Sequence, residues 1–289
     1  MNAAERIDWL NWRRQGIGAS DVPGILGMSP YENQTPLSIY LDKIGERPDV
    51  KQNAAMKLGL LMEPVILNLY REESGEVIVG EQVRTEHREH KFIRATLDGL
   101  TSTGKVVQAK NVDWRKREEW GEPGTDEVPD YVACQNHAEM LAYDAHECDV
   151  PILIGGNEFR IYHLDRDSEM DRFLIEKMTE FHRRVELRDP PLATLPADYE
   201  TIRRLKPKYQ STIDLPDECL TLVDMLEEAK GLIKANTQAS EEFKAKLIDA
   251  MGGHACALLP DGRTITRKEI QRKGYTVEPT SYIDFRISK

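Results

Sequence analysis

The apolar residues of this chain change period repeatedly, and those changes constrain the fold more than any single motif does. Up to Ser74 they recur at helical spacing. A helix is predicted around Ile7–Arg14, followed by a Gly16-Ile17-Gly18 turn and a second helix opened by Ser20 as N-cap, with Val22, Ile25 and Leu26 on its apolar side. Two more follow, one from Thr35-Pro36 to Gly45 and one from Asn53 to Ser74, the latter carrying Leu58, Leu61, Val65, Ile66 and Leu69 and closed by Gly75. After Gly75 the period drops to two. Val77–Val79, Val83–Thr85, Phe92–Leu97 and Val106–Val112 read as strands of a largely antiparallel sheet. Helical spacing returns at Tyr131–Tyr143, then come strands at Val150–Ile154 and Phe159–Tyr162 and a long helix over Ser168–Glu186. This order predicts an α+β (mixed α/β) fold in which a central mixed sheet is flanked by helices. Beyond Pro190-Pro191 the composition shifts, and Leu220–Met251 and the segment around Pro260-Asp261-Gly262 read as an appendage of one charged helix plus short strands. The expected divisions are 1–195, a linker at 196–210, and 211–289.

Within the strand region, the segment from Asp98 to Lys110 sets a carboxylate, an amide and an ammonium on neighbouring strands. In an extended strand Gln108 and Lys110 share a face while Ala109 points into the packing, and Asp98 faces them across the turn. Such a set holds a divalent cation through Asp98, the Gln108 side-chain oxygen and the Ala109 carbonyl, with Lys110 beside a bound water. Phosphodiester hydrolysis is the reaction this suggests. Asp-Gly is equally an ordinary turn dipeptide, so the segment by itself also fits a plain hairpin.

A formal net charge of -11 is the opposite of the basic surface by which proteins neutralise phosphates. A nuclease can still concentrate its cations in one channel and let a metal supply the rest. Basic residues do cluster, at Arg13-Arg14, Arg115-Lys116-Arg117, Arg183-Arg184 and Arg203-Arg204, although each cluster also fits a solvated helix face. Cys134, Cys148, Cys219 and Cys256 form no CxxC pair, which argues against a zinc ribbon; they read as reduced, buried thiols. No apolar run approaches the roughly 18 residues of a membrane span, and Met1–Trp9 lacks the apolar core of a signal peptide. A soluble, cytoplasmic protein with no membrane partner is expected.

Four ordered motifs bring a family into view. Arg14-Gln15-Gly16-Ile17-Gly18-Ala19-Ser20-Asp21-Val22, followed by Gly27-Met28-Ser29-Pro30-Tyr31 and Thr35-Pro36, closely resembles the opening motif of the YqaJ-type viral recombinases. These belong with the lambda-type phage exonucleases in the PD-(D/E)XK nuclease superfamily. Gly59-Leu60-Leu61-Met62-Glu63-Pro64 is similar to the helix that supplies an extra acidic residue, and Tyr131-Val132-Ala133-Cys134-Gln135 to the helical motif after the catalytic strands. The resemblance implies a PD-(D/E)XK core over about residues 1–195, with Asp98, Gln108, Lys110 and Glu63 catalytic. It implies that Asp98, Gln108, Ala109 and Glu63 bind metal, two Mg²⁺ or Mn²⁺ ions per site. Arg14 and Ser20 would grip a DNA 5'-phosphate, with Tyr131 and Gln135 also on the DNA. The implied activity is processive 5'-to-3' digestion of double-stranded DNA ends, leaving 3' single-stranded tails for a single-strand annealing recombinase. A phage- or prophage-encoded homo-oligomer, a trimeric ring, in a bacterial cytoplasm completes that picture.

Gln108 departs from the pattern, because the family usually has Glu there. A charge pair at 4 Å is worth about 4 kcal/mol at an effective dielectric of 20, so a neutral amide predicts weaker metal binding and lower activity with the fold unchanged. Two other functions are compatible with these residues: an endonuclease or repair nuclease of the same superfamily, and a DNA-end-binding scaffold whose catalysis is disabled at Gln108. His87 and His90 are spaced like metal ligands but read as solvated. Trp114 and Trp120 flank basic residues and fit either base stacking or core packing.

Overall fold

The computed structural model describes residues 3–47, 53–209 and 211–271. Helix α1 (Ala3–Arg14) leads into the short strand β1 (Ile17–Gly18), a 3-10 turn (Ala19–Asp21) and a four-residue helix α2 (Val22–Ile25). Ser20 does not open a helix as its N-cap. It lies inside the 3-10 turn, and the polar group that organises the turn is Asp21, whose Oδ2 accepts the Gly18 N–H at 2.9 Å. A buried carboxylate held by Arg13 and by the Lys43 ammonium at 2.6 Å is a stronger acceptor than a neutral hydroxyl.

Helix α3 (Pro36–Lys43) starts where the sequence placed it, since Thr35 and Ser38 cap each other reciprocally. Helix α4 (Ala54–Ser74) is opened by Asn53, which accepts the Met56 N–H at 2.8 Å, and is closed by Gly75 at φ 73. One face of α4 buries Ile66, Leu67 and Tyr70. The Tyr70 hydroxyl donates to Asp149 Oδ2 at 2.6 Å and ties this helix to the sheet.

The strands are β2 (Ile78–Glu86), β3 (Ile93–Thr101), β4 (Val106–Val107) and β5 (Lys110–Val112). A 3-10 segment (Trp114–Glu119) and helix α5 (Asp130–Tyr143) precede β6 (Glu147–Ile154) and β7 (Glu158–Asp165). They form one seven-stranded sheet with β1. It is mixed: β1 runs parallel to β3, and β4 and β5 parallel to β6, whereas β2–β3, β3–β4 and β6–β7 are antiparallel. The sheet read as largely antiparallel therefore holds three parallel pairings, two of them because α5 carries the chain back before β6 begins and the third where β1, from outside the meander, joins β3. Helices α5 and α6 (Ser168–Leu187) pack their buried residues, among them Met140, Leu141, Leu174 and Met178, into the main core with Leu97, Val106 and Ile152.

A short helix α7 (Tyr199–Ile202) follows, and the chain divides into two units between Lys206 and Pro207. The second unit contains helix α8 (Glu218–Met251) and the antiparallel pair β8 (Cys256–Leu258) and β9 (Thr264–Thr266). Cys134 and Cys148 are buried free thiols, but Cys219 is only half-buried and Cys256 is exposed, because the second unit presents little core to cover them. No helix among the described residues is long and apolar enough to cross a membrane.

Candidate active site

Val106–Val112 is predicted as one strand, and the structure breaks it at Gln108–Ala109. The register against β6 runs through the break unchanged, from Val107 opposite Asp149 to Lys110 opposite Ile152, with Gln108 N–H donating to the Asp149 carbonyl at 3.0 Å. Pairing with β3 stops at Val107 opposite Gly99. The strand therefore peels away from β3 while staying on β6, and a fork opens beside Asp98. Asp98 fills it, and its Oδ2 accepts the Ala109 N–H at 3.0 Å.

Five more polar side chains close on this fork. Glu81 pairs with Gly99 and Val83 with Leu97, which sets Gln82 opposite Asp98. Gln82 has a left-handed backbone, φ 52, and its Nε2 donates to Glu63 Oε1 at 2.5 Å, so a strained non-glycine residue orients the α4 carboxylate. From β5, Lys110 Nζ donates to Gln135 Oε1 at 2.9 Å, and Gln135 Nε2 donates to Glu139 Oε1 at 2.8 Å. Gln135 thus bridges the ammonium to a carboxylate one turn along α5.

The site's charge is unbalanced. Burial raises the Asp98 carboxyl well above the usual range, and Glu63 and Glu139 push it further while Lys110 and the Ala109 N–H pull it down. Burial likewise raises Glu63, against the Gln82 hydrogen bond and Lys110. Glu139, 2% exposed, is pushed up to about 7 by burial, despite Lys110 and Gln135. Glu139 Oε2 and Gln108 Oε1 are buried without any hydrogen-bond partner. Among the described residues no group of three or more His, Cys, Asp and Glu side chains is arranged to hold a metal by itself. Asp98 among repelling carboxylates and a buried, unpartnered carboxamide oxygen on Gln108 are hard oxygen donors of the kind a divalent cation suits.

The structure brings Asp98, Glu63, Lys110 and Gln135 into one electrostatic group, with Ala109 joined to it through its N–H. Tyr131 lies three residues before Cys134 on α5 under the Lys116 ammonium, 5.8 Å from its ring, and burial raises its hydroxyl to about 12. Arg14 and Ser20 sit apart from this group. Arg14 is exposed and lies 3.8 Å from Asp42, whereas its neighbour Arg13 is committed to buried Asp21. Glu139 and Gln82 are absent from the sequence reading. Glu139 was detectable at the i+4 position from Gln135, which puts both on one helix face; Gln82 carried no local signal. His87 is no metal ligand, because its Nδ1 accepts the N–H groups of Glu89 and His90 and shapes the loop. Trp120 is buried against Tyr162, and Trp114 is 57% exposed.

A central mixed sheet flanked by helices, with Asp98 and Lys110 on its forked strands, is an exonuclease-type fold. Residues 8–146 match the YqaJ-like viral recombinase domain. The chain is 29% identical over 180 residues to the uncharacterized protein YqaJ of Bacillus subtilis (strain 168), covering 61% of this chain and 55% of that protein. It is 26% identical over 153 residues to the uncharacterized protein R354 of Acanthamoeba polyphaga mimivirus, covering 49% of this chain and 27% of the other. It thus spans about half the length of the first relative and about a quarter of the second. An alkaline exonuclease from Laribacter hongkongensis shares the fold at a TM-score of 0.50 and 17% identity, over 63% of this chain and 93% of that one.

Proposed function

We propose that this chain is a metal-dependent DNA nuclease of phage recombination, and specifically a processive 5'-to-3' exonuclease that acts on double-stranded ends and leaves 3' single-stranded tails. The observation that carries this reading is the fork, where Asp98 faces Glu63 and the Lys110 ammonium, and where the nearby Gln108 leaves a buried carboxamide oxygen without a partner. The match of residues 8–146 to the YqaJ-like viral recombinase domain supports it, as does the fold shared with an alkaline exonuclease.

Asp98, Gln108, the Ala109 carbonyl and Glu63 would hold Mg²⁺ or Mn²⁺, two ions per site, which supply positive charge to the attacking and leaving oxygens of an in-line displacement. The chain's own residues do the rest. Lys110, fixed by Gln135, places an ammonium where a phosphate oxygen or an attacking water would lie. Gln82 holds Glu63 toward the fork. Arg14, the last residue of α1, and Ser20, in the 3-10 turn after β1, bind the terminal 5'-phosphate; the exposed guanidinium can grip it through two donors. Arg14→Ala should therefore erase most of the preference for 5'-phosphorylated over 5'-hydroxyl duplex ends, and equal discrimination by both proteins would remove Arg14 from this role.

A homo-oligomer, a trimeric ring threaded by DNA, and an annealing recombinase as recipient of the tails belong to the same reading. A second reading, a DNA-end-binding scaffold of low activity, is favoured by the neutral amide at Gln108. One assay separates them. Linear duplex, circular duplex and single-stranded DNA are incubated with this chain and with Gln108→Glu at low millimolar Mg²⁺. Linear-duplex digestion that rises at least tenfold in Gln108→Glu supports the exonuclease, cleavage of circles supports an endonuclease, and end binding without cleavage in both proteins supports the scaffold.

A further inference from the structure

We infer that Asp42 and Arg47 make the proposed phosphate site selective for a terminal phosphomonoester. Asp42 holds Arg14 while no DNA is bound, and Arg47 is the second guanidinium that a doubly charged phosphate engages when it displaces that carboxylate. The inference rests on the reading of Arg14 and Ser20 as end-binding residues and says what selects their ligand. Hydrogen bonds bring these residues to one place. Arg13 bonds Asp21, so their chain neighbours Arg14 and Ser20 are stapled to the same turn. Just before α3, Gln34 Nε2 donates to the Ser20 carbonyl at 2.6 Å, and the carbonyl of the adjoining Asn33 accepts from Arg47 Nη2 at 2.7 Å. The Arg47 backbone lies beyond the other end of α3, where its N–H donates to the Leu41 carbonyl at 3.0 Å. Its side chain therefore runs back along the helix toward the residues that hold Ser20. Asp42, in the last turn of α3, lies 3.8 Å from Arg14 and is the anion that acts most strongly on Arg47.

The charges here do not cancel. Asp21 and Asp42 are the carboxylates that act on Arg13, Lys43 and Arg47, and Asp42 also faces Arg14, so four cations share two carboxylates. Asp21 is spent on Arg13 and, at 2.6 Å, on Lys43, which leaves Arg14 and Arg47 with Asp42. That remaining pair is loose: 3.8 Å separates it and the Arg14 side chain is 42% exposed, so an incoming anion can replace it. Burial pulls the Arg47 guanidinium below its usual pKa, and the Asn33 carbonyl to which it donates carries no charge. Its five-donor fork keeps capacity for a phosphate. A backbone phosphodiester brings one negative charge and would only exchange for a carboxylate of equal charge, whose tether spares it the entropy of association. A terminal monoester carries about -1.5 to -2 near neutral pH and supplies the second charge that the cluster lacks.

The test measures binding and no cleavage. Fluorescence anisotropy of the full chain in EDTA compares labelled duplexes that differ only in a 5'-phosphate or a 5'-hydroxyl. Arg47→Ala should weaken binding of the phosphorylated end about tenfold and of the hydroxyl end by less than about twofold, and should lower the salt slope for the phosphorylated end by about 1. Asp42→Asn should act with the opposite sign: affinity for the hydroxyl end rises about threefold and the phosphorylated end gains less, so the preference narrows from the other side. A residue that only supports the fold would weaken both ends alike. Arg47→Lys keeps the stem and the charge but loses the fork, so it should still lose at least about half of the preference, and it decides the matter if Arg47→Ala melts below the parent. A parent that binds both ends equally would overturn the inference together with the end-binding reading. A parent preference that survives undiminished in both Arg47 variants, or in Asp42→Asn, would overturn the inference alone.

Discussion

Asp98 is a buried carboxylate facing Glu63 and Glu139, and Glu139 is raised by burial, while Asp21, equally buried, faces two cations; their substitutions should therefore differ in sign. At Asp21 burial opposes ionisation, yet Arg13 and Lys43 hold the carboxyl far below its usual range. Asp21→Asn leaves those cations without their counter-charge and should cost about 3–5 kcal/mol. Asp98→Asn relieves repulsion from Glu63 and Glu139, so without metal it should melt at the same or a higher temperature while losing cleavage at least a hundredfold. A large drop in its melting temperature would mean that Asp98 is structural. For Glu139 the folded value, about 7, lies above the unfolded one, about 4.3. The folded state then holds the extra proton, so the stabilisation is fully present below about pH 4.3 and is lost as pH rises through 7, about 3 kcal/mol in all. In metal-free protein, the melting-temperature difference between Glu139→Gln and the parent should grow across that window; a flat difference would sink the idea. Asp98 and Lys110 were legible in sequence as residue types at strand spacing, but Glu139 gained its meaning only from burial.

Helix boundaries were legible where a local side chain or glycine sets them, as at Thr35, Asn53 and Gly75, because capping is a contact over three or four residues. The turn at Gly16 is decided across the chain instead. A Cβ at Gly16 would overlap the Phe92 carbonyl, which accepts the Ile17 N–H at 2.6 Å where β1 joins β3. Gly16→Ala must push β1 off the sheet and should lower stability by several kcal/mol, on the order of the larger overpacking costs. Urea unfolding measures it, and a midpoint within error of the parent's would show that β1 moves freely. Ser20 was misread as a cap for the same reason: the stronger acceptor, Asp21, owes its charge to Lys43, which is distant in sequence.

At the scale of the molecule, the division between Lys206 and Pro207 places every residue of the proposed site in the first unit. A chain ending at Lys206 should unfold cooperatively and keep metal-dependent cleavage. Circular dichroism melting, light scattering and the linear-duplex assay read these outcomes, and an insoluble or non-cooperative truncation would show that the second unit is needed for the first to fold.

Period and capping depend on neighbours within a few residues, so the order of helices and strands, the mixed architecture and the identities of Asp98, Glu63 and Lys110 follow from the amino-acid order alone. The break at Gln108–Ala109 does not. It exists because β4 and β5 keep their register on β6 while leaving β3, a competition between two neighbouring strands that appears only when all three are assembled. The same assembly brings Gln82 opposite Asp98 and buries Glu139 near Lys110 without a partner for one oxygen. Whether a carboxylate there is a solvated surface charge or part of a site that demands a cation depends on desolvation, and desolvation is a property of the packed molecule.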